Sequence, residues 1–411
     1  MNEMKQSGIP YIWEIPKNWE VKRNKNLLRV SKRIVGENFN KYQLLSLTKR
    51  GIVEKDITQG GGKQPDTFAT YQAVEKDNLV MCLFDLDCSA VFVGMSNYNG
   101  MISPAYDVFY PKENVNIKYY EYLFRYIENE RCYVSQSTSL RFVLSDVQFG
   151  WIRQIQPPIA TQNRIVAYLD KHTAIIDKQI EANKKAIALL GEYRASAIDA
   201  KMQPKNTWKI EPLKLHFDFG KGLSITKEDL VEDGLPVISY GQVHSKDNLG
   251  TTITDDLIKF VPESFLENKN SLVNKDDFIF ADTSEDLEGI GNCVYVDRNE
   301  TLFAGYHTII LKARGKNNKF FAYLFKSDYW RRQLRSMAYG TKVYSVTQTM
   351  LRQIKIYIPP NEEQKEIIAS LDKMCKRVDR IIAYRKAIIE KLEEYKKSLI
   401  YEAVTGKKEI V

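Results

Sequence analysis

The sequence predicts an α+β protein in which two domains of mixed strands and short helices are joined by two long helices. Three observations lead to this fold class. One segment of about forty residues occurs twice, both copies have the periodicity of a long helix, and the stretches before them alternate like half-buried strands. A chain that carries one long module twice is expected to build two related units and to bind something twice.

The duplicated segment covers residues 157–198 and returns without a gap, 202 positions later, at residues 359–400. So many identities in a single register exclude accident. The identical residues of the first copy are Pro157, Pro158, Gln162, Ile165, Ala167, Leu169, Asp170, Lys171, Asp177, Ile180, Lys184, Ile187, Leu190, Glu192, Tyr193, Ser196 and Ile198.

Apolar residues in each copy follow the three-and-four spacing of a coiled-coil seam. A helix of this length spans about 60 Å and cannot leave such a stripe exposed. Each helix could pack separately as a core helix, but we favour pairing of the two copies, because one chain supplies both stripes. The predicted seam residues are Leu169, Ile176, Ile180, Ile187 and Leu190 in the first copy and Leu371, Val378, Ile382, Ile389 and Leu392 in the second.

Proline pairs mark where the two helices begin. After Pro359 and Pro360, Asn361 with Gln364 fits an N-terminal capping box. The first copy has Ile159 at the position of Asn361, so its start is less clearly signalled. The predicted organisation is a first domain at 1–156, a long helix at 157–204, a second domain at 205–358, and a second long helix with the C-terminal tail at 359–411.

The two predicted domains repeat one another weakly. Each opens with a tryptophan, Trp19 or Trp208, and VEKDNLV at 74–80 resembles VNKDDFI at 273–279. KYYEYLF at 118–124 and KFFAYLF at 319–325 predict equivalent amphipathic helices. Their loops differ, as expected for one scaffold that binds two different targets.

Composition limits the possible classes of protein. A net charge of +8 and a pI near 8.9 suit a phosphate-binding surface. The sequence has no run of 18 apolar residues and no signal-peptide pattern at its start, so we expect a cytoplasmic protein. Five cysteines without a CxxC pair argue against a disulfide framework and against a zinc site.

Motifs of catalysis are incomplete. The glycine run before Lys63 lacks the GxxxxGK[ST] spacing of a phosphate-binding loop. Neither proline pair belongs to the Asn/Asp-Pro-Pro-aromatic tetrapeptide of an amino-methyltransferase. The acidic clusters at 85–87 and 282–288 lack a following Glu-x-Lys, and the four histidines are scattered. We therefore predict a binding protein with no catalytic residue and no metal ligand.

Four features together resemble one known family over the whole chain. They are IPKNWEVKR at 15–23, GMISPAYDVF at 100–109, the Pro-Pro...Gln...Ile...Leu-Asp pattern at 157–170 and 359–372, and the duplicated helices. The family is the specificity subunit of type I restriction-modification systems. The resemblance implies that each α+β domain is a target recognition domain for one half of a split DNA sequence. It also implies that the long helices form an antiparallel coiled coil that spaces the domains.

The resemblance further implies that the helices dock two modification subunits, which bind S-adenosylmethionine, and that restriction subunits use ATP and Mg²⁺. No cofactor is expected in this chain. Two alternatives stay open: a self-contained DNA methyltransferase or nuclease, and a scaffold that binds only protein. If the chain reads DNA, polar loop side chains are the candidates. They are Lys49, Arg50, Lys63, Gln64, Ser137, Ser139 and Arg141 in the first domain, and Tyr240, Gln242, His244, Lys246, Lys342 and Tyr344 in the second.

Overall fold

The computed structural model describes residues 3–49, 51–56, 67–87, 92–137, 142–315, 318–338 and 343–410. It divides into two compact units. The first unit comprises Met1–Asn183 with Ala387–Val411, and the second comprises Lys184–Lys386. Each unit therefore contains one α+β domain and one segment from each long helix.

The first unit opens with a hairpin and continues with short strands and three short helices before the first long helix. Its strands are β1 (Met4–Ile9), β2 (Ile12–Pro16), β3 (Glu20–Arg23), β4 (Leu28–Val30), β5 (Leu45–Thr48), β6 (Gly51–Glu54), β7 (Gln72–Val74), β8 (Leu79–Met81), β9 (Val93–Met95), β10 (Gly100–Ile102), β11 (Asp107–Pro111) and β12 (Arg153–Gln156). Its helices are α1 (Asn24–Leu27), α2 (Ile117–Asn129), α3 (Asp146–Trp151) and the start of α4 (Ile159–Lys201).

The second unit continues from the end of α4. Its strands are β13 (Lys209–Pro212), β14 (Phe217–Lys221), β15 (Leu235–Ile238), β16 (Lys259–Val261), β17 (Leu272–Val273), β18 (Phe278–Ala281), β19 (Thr283–Ser284), β20 (Cys293–Tyr295), β21 (Leu302–Ala304), β22 (Thr308–Ala313), β23 (Tyr344–Ser345) and β24 (Lys355–Ile358). Its helices are α5 (Tyr240–Val243), α6 (Lys319–Leu324), α7 (Asp328–Met337), α8 (Gln348–Gln353) and the start of α9 (Asn361–Val404).

Both units are built on the same antiparallel sheet. The strand order is β4-β11-β8-β9 in the first unit and β14-β22-β18-β20 in the second. These strands bury nearly continuous apolar runs, such as Leu79–Met81 and Phe278–Ala281, under the helices of each unit. The weak sequence echoes thus correspond to equivalent strands, and the predicted α+β class is confirmed.

An acidic turn leads into a central strand of each sheet, within the similar segments 74–80 and 273–279. Asp77 and Asp276 both have left-handed backbone angles, with φ of 66° and 75°. The side chain of the next residue closes the turn: Asn78 accepts from the Glu75 N–H, and Asp277 accepts from the Asn274 N–H, both at 2.8 Å. Asparagine and aspartate tolerate such turns because their short side chains bond the nearby backbone.

The domains differ beside the shared sheet. The second unit adds a four-stranded sheet of order β16-β15-β21-β17, in which β15 and β21 run parallel. The first unit has the two-stranded pairs β5–β6 and β7–β10, and it carries the hairpin β1–β2 ahead of Trp19. The duplication therefore preserves the framework and changes what is attached to it.

The two long helices begin at equivalent positions of the repeat, Ile159 and Asn361. The predicted capping box at Asn361 is wrong, because Asn361 is the first helical residue and Pro360 before it has no N–H to donate to a capping side chain. Instead, the Gln364 amide donates to the Pro359 carbonyl at 2.9 Å. Gln162 makes the same bond to the Pro157 carbonyl at 2.8 Å, so one device starts both helices.

Within each unit the two helix segments run antiparallel. In the first unit, Lys396 of α9 pairs with Asp177 of α4 at 2.7 Å, and Lys408, just beyond the end of α9, lies over the Tyr168 ring near the start of α4. In the second unit, Lys205 pairs with Glu363 at 2.5 Å, and Arg194 pairs with Asp379. A forward step along one helix is matched by a backward step along the other. The helices form the antiparallel coiled coil that the family resemblance implied.

The predicted seam residues differ in how far they are buried. Leu169, Ile176, Ile180, Leu371 and Val378 are buried. The remaining five are half-buried: Ile187, Leu190, Ile382, Ile389 and Leu392.

A carboxylate clamp joins each domain to its long helix. Asp170 on α4 accepts from Lys118 at 2.8 Å and from the Tyr122 hydroxyl at 2.7 Å, both on α2. In the second unit Asp372 on α9 binds its domain in the same way. There, Lys319 and Tyr323 of α6 donate at 2.9 and 2.5 Å. Burial raises the pKa of both tyrosines well above the ordinary value, which keeps the hydroxyls protonated as donors.

No helix in the part of the chain that the structure describes is long and apolar enough to cross a lipid bilayer.

Replacing Asp372 by alanine tests the clamp. The change leaves the Tyr323 hydroxyl and the Lys319 ammonium without their acceptor, so we expect the second unit to lose about 2 kcal/mol of unfolding free energy. Urea unfolding followed by tryptophan fluorescence measures it, because Trp208 and Trp330 are buried in this unit. Glu366→Ala on the same helix is the control, since Glu366 is exposed. Equal stability of the two variants would contradict the clamp.

Candidate nucleic-acid interface

In the second unit, residues from separate parts of the sequence converge on one loop. Tyr240 begins α5, directly after β15, and His244 follows the helix. Strand β23 pairs with β19, which sets Tyr344 opposite Ser284. The loop 285–289 leaves β19 at this point. The structure thus brings together candidates about a hundred residues apart in sequence.

These elements enclose a cleft of about 420 Å³. Tyr240 and His244 line one side, and the opposite side is the loop, which carries the exposed carboxylates of Glu285, Asp286 and Glu288. The cleft is therefore aromatic on one face and acidic on the other. The sequence contained the acidic cluster but gave no indication that it lies against the polar candidates of α5.

Two arginines of α7 hold the backbone of this loop. Arg331 donates to the Glu288 carbonyl at 2.6 Å and to the Asn292 side-chain oxygen at 2.7 Å, and Arg335 donates to the Leu287 carbonyl at 2.9 Å. The run 329–335 is basic and aromatic, a composition that suits a phosphate-binding surface. Its arginines instead bind within the protein: Arg332 pairs with Asp328 at 2.7 Å.

His244 and Gln242 are engaged in the same framework. His244 Nε2 lies 2.8 Å from the Thr283 carbonyl and Nδ1 lies 3.2 Å from the Asn292 amide nitrogen. This pattern fits a neutral ring that donates through Nε2 and accepts through Nδ1. The Gln242 side chain accepts from the Ser239 N–H at 3.1 Å. Both residues position α5 against the loop, whereas Lys246 is exposed.

His307 extends the aromatic side of the cleft. Its backbone has a φ of 52°, its side chain is 59% exposed, and its Nδ1 lies 3.3 Å from a carboxylate oxygen of Asp282. The Tyr240 ring meets it edge-on, with the ring centroids 5.7 Å apart. The segment AYDVF at 105–109 aligns with YHTII at 306–310, so Tyr106 of the first unit corresponds to His307. Tyr106 stacks on Phe84. The matched aromatic is thus half-buried in one unit and largely exposed in the other.

In the first unit only two candidates lie within the described residues. Lys49 is exposed in the turn between β5 and β6, and the Ser137 hydroxyl donates to the Val143 carbonyl at 3.1 Å. Arg50, Lys63, Gln64, Ser139 and Arg141 lie outside the described residues, as does Lys342 of the second unit.

A basic surface of the first unit was not among the sequence candidates. The Trp151 side chain at the end of α3 is half exposed, and two cations lie over its ring. The Arg23 guanidinium carbon is 4.0 Å and the Lys25 ammonium 3.5 Å from the ring centroid. The signal was present in the run VKRNK at 21–25, but the partner Trp151 is distant in sequence.

Among the described residues, no His, Cys, Asp or Glu side chains are grouped so that they could hold a metal ion. Cys132, Cys293 and Cys375 are free thiols. Burial raises the pKa of the Cys293 thiol to about 12, so this group stays protonated at neutral pH. The thiolate is the reactive form of cysteine, and the protonated Cys293 thiol is therefore not suited to act as a nucleophile.

Residues 205–394 match the family model of the type I restriction modification DNA specificity domain. The chain is 26% identical over 268 residues to the specificity subunit of the type I restriction enzyme MjaVIII from Methanocaldococcus jannaschii. The chain is thus similar to the specificity subunits of type I restriction enzymes. It is also 24% identical over 205 residues to the EcoKI specificity subunit of Escherichia coli K12.

The alignments with these two specificity subunits are partial. They cover 61% of this chain and 61% of the MjaVIII subunit, and 49% of this chain and 43% of the EcoKI subunit. A solved chain from work on complex assembly and conformational transition of the type I R-M system superposes with a TM-score of 0.69 and 15% identity. That superposition covers 96% of this chain and all of the solved one, so the shared fold includes both units.

Proposed function

We propose that this specificity subunit recognises a bipartite DNA sequence, with each α+β domain reading one half and the coiled coil setting the gap between them. The observation that carries the proposal is the combination of a repeated framework with unequal attachments. The sheet, the carboxylate clamp and the helix start are the same in both units, whereas the second sheets and the loops differ. A protein that recognises two different DNA half-sequences needs a common framework that carries different binding loops.

In the second unit the aromatic and acidic cleft is the proposed reading site. A carboxylate next to DNA is repelled by phosphates, but it can accept from the amino group of cytosine in the major groove. Arg331 and Arg335 fix the loop backbone, so Glu285 and Glu288 would reach the bases from a rigid support. Lys246 and Lys49 are proposed phosphate contacts, which set position without reading sequence.

The proposed partners of the coiled coil are two modification subunits, one for each repeat. Tyr193 and Tyr395 occupy the same repeat position and are 57% and 54% exposed. Large exposed aromatics are frequent anchors of protein interfaces. S-adenosylmethionine would be bound by the modification subunits, and ATP with Mg²⁺ by restriction subunits. A complex that modifies chromosomal DNA would act in the cytoplasm.

Neutralising the acidic loop tests the reading site. With Glu285→Gln or Glu288→Gln, we expect the second half of the recognised sequence to lose discrimination at one position by about tenfold or more, because a carboxylate acceptor is removed. Mapping of methylated sites in cells that carry the complete system measures both halves. Glu267→Gln, an exposed residue of the same unit outside the cleft, is the control. A change confined to the first half would contradict the assignment.

Lengthening the coiled coil tests whether it sets the gap between the two half-sequences. One added heptad after Ile187, with another after Ile389, extends the paired helices by about 10 Å, or roughly three base pairs of DNA. We expect the unread gap to grow accordingly while both half-sequences stay unchanged. The same seven residues inserted after Asn299, in an exposed turn, should leave the gap as it is. An unchanged gap in the DNA sequence recognised by the lengthened variant would refute this role of the coiled coil.

Removing the exposed tyrosines tests the docking of two partners. We expect Tyr193→Ala and Tyr395→Ala each to weaken the binding of one modification subunit by about tenfold or more. The double variant should weaken the binding of both. Native mass spectrometry of the assembled complex gives the stoichiometry. Tyr384→Ala is a matched control, because Tyr384 is 69% exposed but has alanine at its repeat position. Full occupancy in the double variant would exclude this surface.

A further inference from the structure

A cavity of about 540 Å³ lies within the second unit, where α7 faces the segments of α4 and α9. Its lining is rich in cations. We call it the basic cavity and define it by Arg194, Lys246, Lys326, Arg331 and Arg335, which line it together with Asn248. It is separate from the aromatic and acidic cleft, although Glu288 borders both.

Two of these cations are largely withdrawn from water without a carboxylate partner. The Lys326 ammonium has one long contact, 3.5 Å to the Asn248 carbonyl. Arg331 donates to the neutral oxygens of Glu288 and Asn292. Neither forms an ion pair within the described part of the chain. An ammonium has three N–H groups and a guanidinium five, so both retain donors for a further acceptor.

Of the four carboxylates that line this cavity, three contact other groups and the fourth, Glu288, is exposed. Asp379 pairs with Arg194, and Asp328 pairs with Arg332. Asp199 accepts from the Asp328 backbone N–H at 2.6 Å. The acids that line the cavity therefore do not neutralise Lys326 by direct contact.

The repeat provides an internal comparison for Lys326. By the alignment of KYYEYLFR with KFFAYLFK, Lys326 corresponds to Arg125 and Ala322 corresponds to Glu121. In the first unit Arg125 pairs with Glu121 at 2.8 Å, one helical turn away. The second unit retains the cation but replaces its acid by a buried alanine. The missing negative charge is thus a property of this unit and not of the fold.

The position of Lys326 is costly, and the backbone makes room for it. Burial, together with the nearby Arg331 and Arg194, lowers the pKa of Lys326 to about 8. Gly250 has a φ of 75°, and a Cβ built there would lie 1.8 Å from the Lys326 Cε. A side chain at position 250 would therefore displace the lysine stem from this backbone. An unpaired charge held in this way is unfavourable unless an anion completes the site.

We propose that the basic cavity binds a phosphate group, held by Lys326 and Arg331 with Lys246 at the exposed rim. A phosphate suits it better than a lone carboxylate, because several oxygens can accept from cations on different sides. The cavity is also far larger than one water molecule. The phosphate could belong to a free phosphate compound or to the DNA backbone. The proposal does not depend on which bases the cleft reads.

Calorimetric titration of the full chain with inorganic pyrophosphate tests whether the cavity binds a free phosphate compound. We expect saturable binding by the natural chain and at least about tenfold weaker binding by Lys326→Met, the effect of one charge-assisted hydrogen bond. Lys326→Arg should retain binding. Arg125→Met is the matched control at the equivalent repeat position and should bind normally, because Glu121 already neutralises Arg125.

A second arm tests the DNA source with a random-sequence duplex. If the phosphate is in the backbone, Lys326→Met should weaken binding to all sequences and reduce the salt dependence by about one ion, whereas pyrophosphate should not bind. Thermal unfolding of each variant shows that it is folded. Lys326→Met removes an unpaired charge, so its midpoint should not fall. The proposal would be overturned if folded Lys326→Met bound both pyrophosphate and DNA as the natural chain does. A change in base preference alone, with unchanged pyrophosphate binding and unchanged salt dependence, would concern only the cleft.

Discussion

The carboxylate clamp is the interaction on which the architecture depends. One aspartate on each long helix accepts from a lysine and a tyrosine of the helix that precedes it in the domain. Because the donors are on the domain and the acceptor is on the long helix, the clamp fixes where along the helix each domain attaches. Hydrogen bonds to a charged acceptor are among the stronger polar contacts in proteins, and here they are partly shielded from water.

Around the clamp, the chain builds two units by sharing its helices. The start of α4 and the end of α9 complete the first unit, and the end of α4 with the start of α9 completes the second. The Tyr119 hydroxyl, for example, donates to the Val404 carbonyl at 2.7 Å, across most of the sequence. The core of each unit therefore includes a helix segment from a distant part of the sequence, and both long helices contribute to both cores.

Charge serves two purposes in this molecule. The net charge of +8 suits a partner rich in phosphate, yet many arginines are used within the protein to hold loops and helices. Arg331 is the clearest case, because it fixes the acidic loop and also borders the basic cavity. A basic run in a sequence therefore indicates how much charge is present, and the fold decides how much of it is available to a ligand.

The sequence alone determined the framework: the repeat, the seam periodicity and the matched strand signals predicted two α+β domains on paired long helices. These features are periodic or duplicated, so they can be recognised without knowing any distant contact. The sequence failed at the helix start, where Pro360 excludes the expected capping box, and it did not predict that Arg331 and Arg335 hold the acidic loop. It also did not show that Ala322, in place of the acid Glu121, leaves Lys326 without an ion-pair partner at a cavity. Those features depend on which side chains meet across long stretches of chain, and only the tertiary structure decided them.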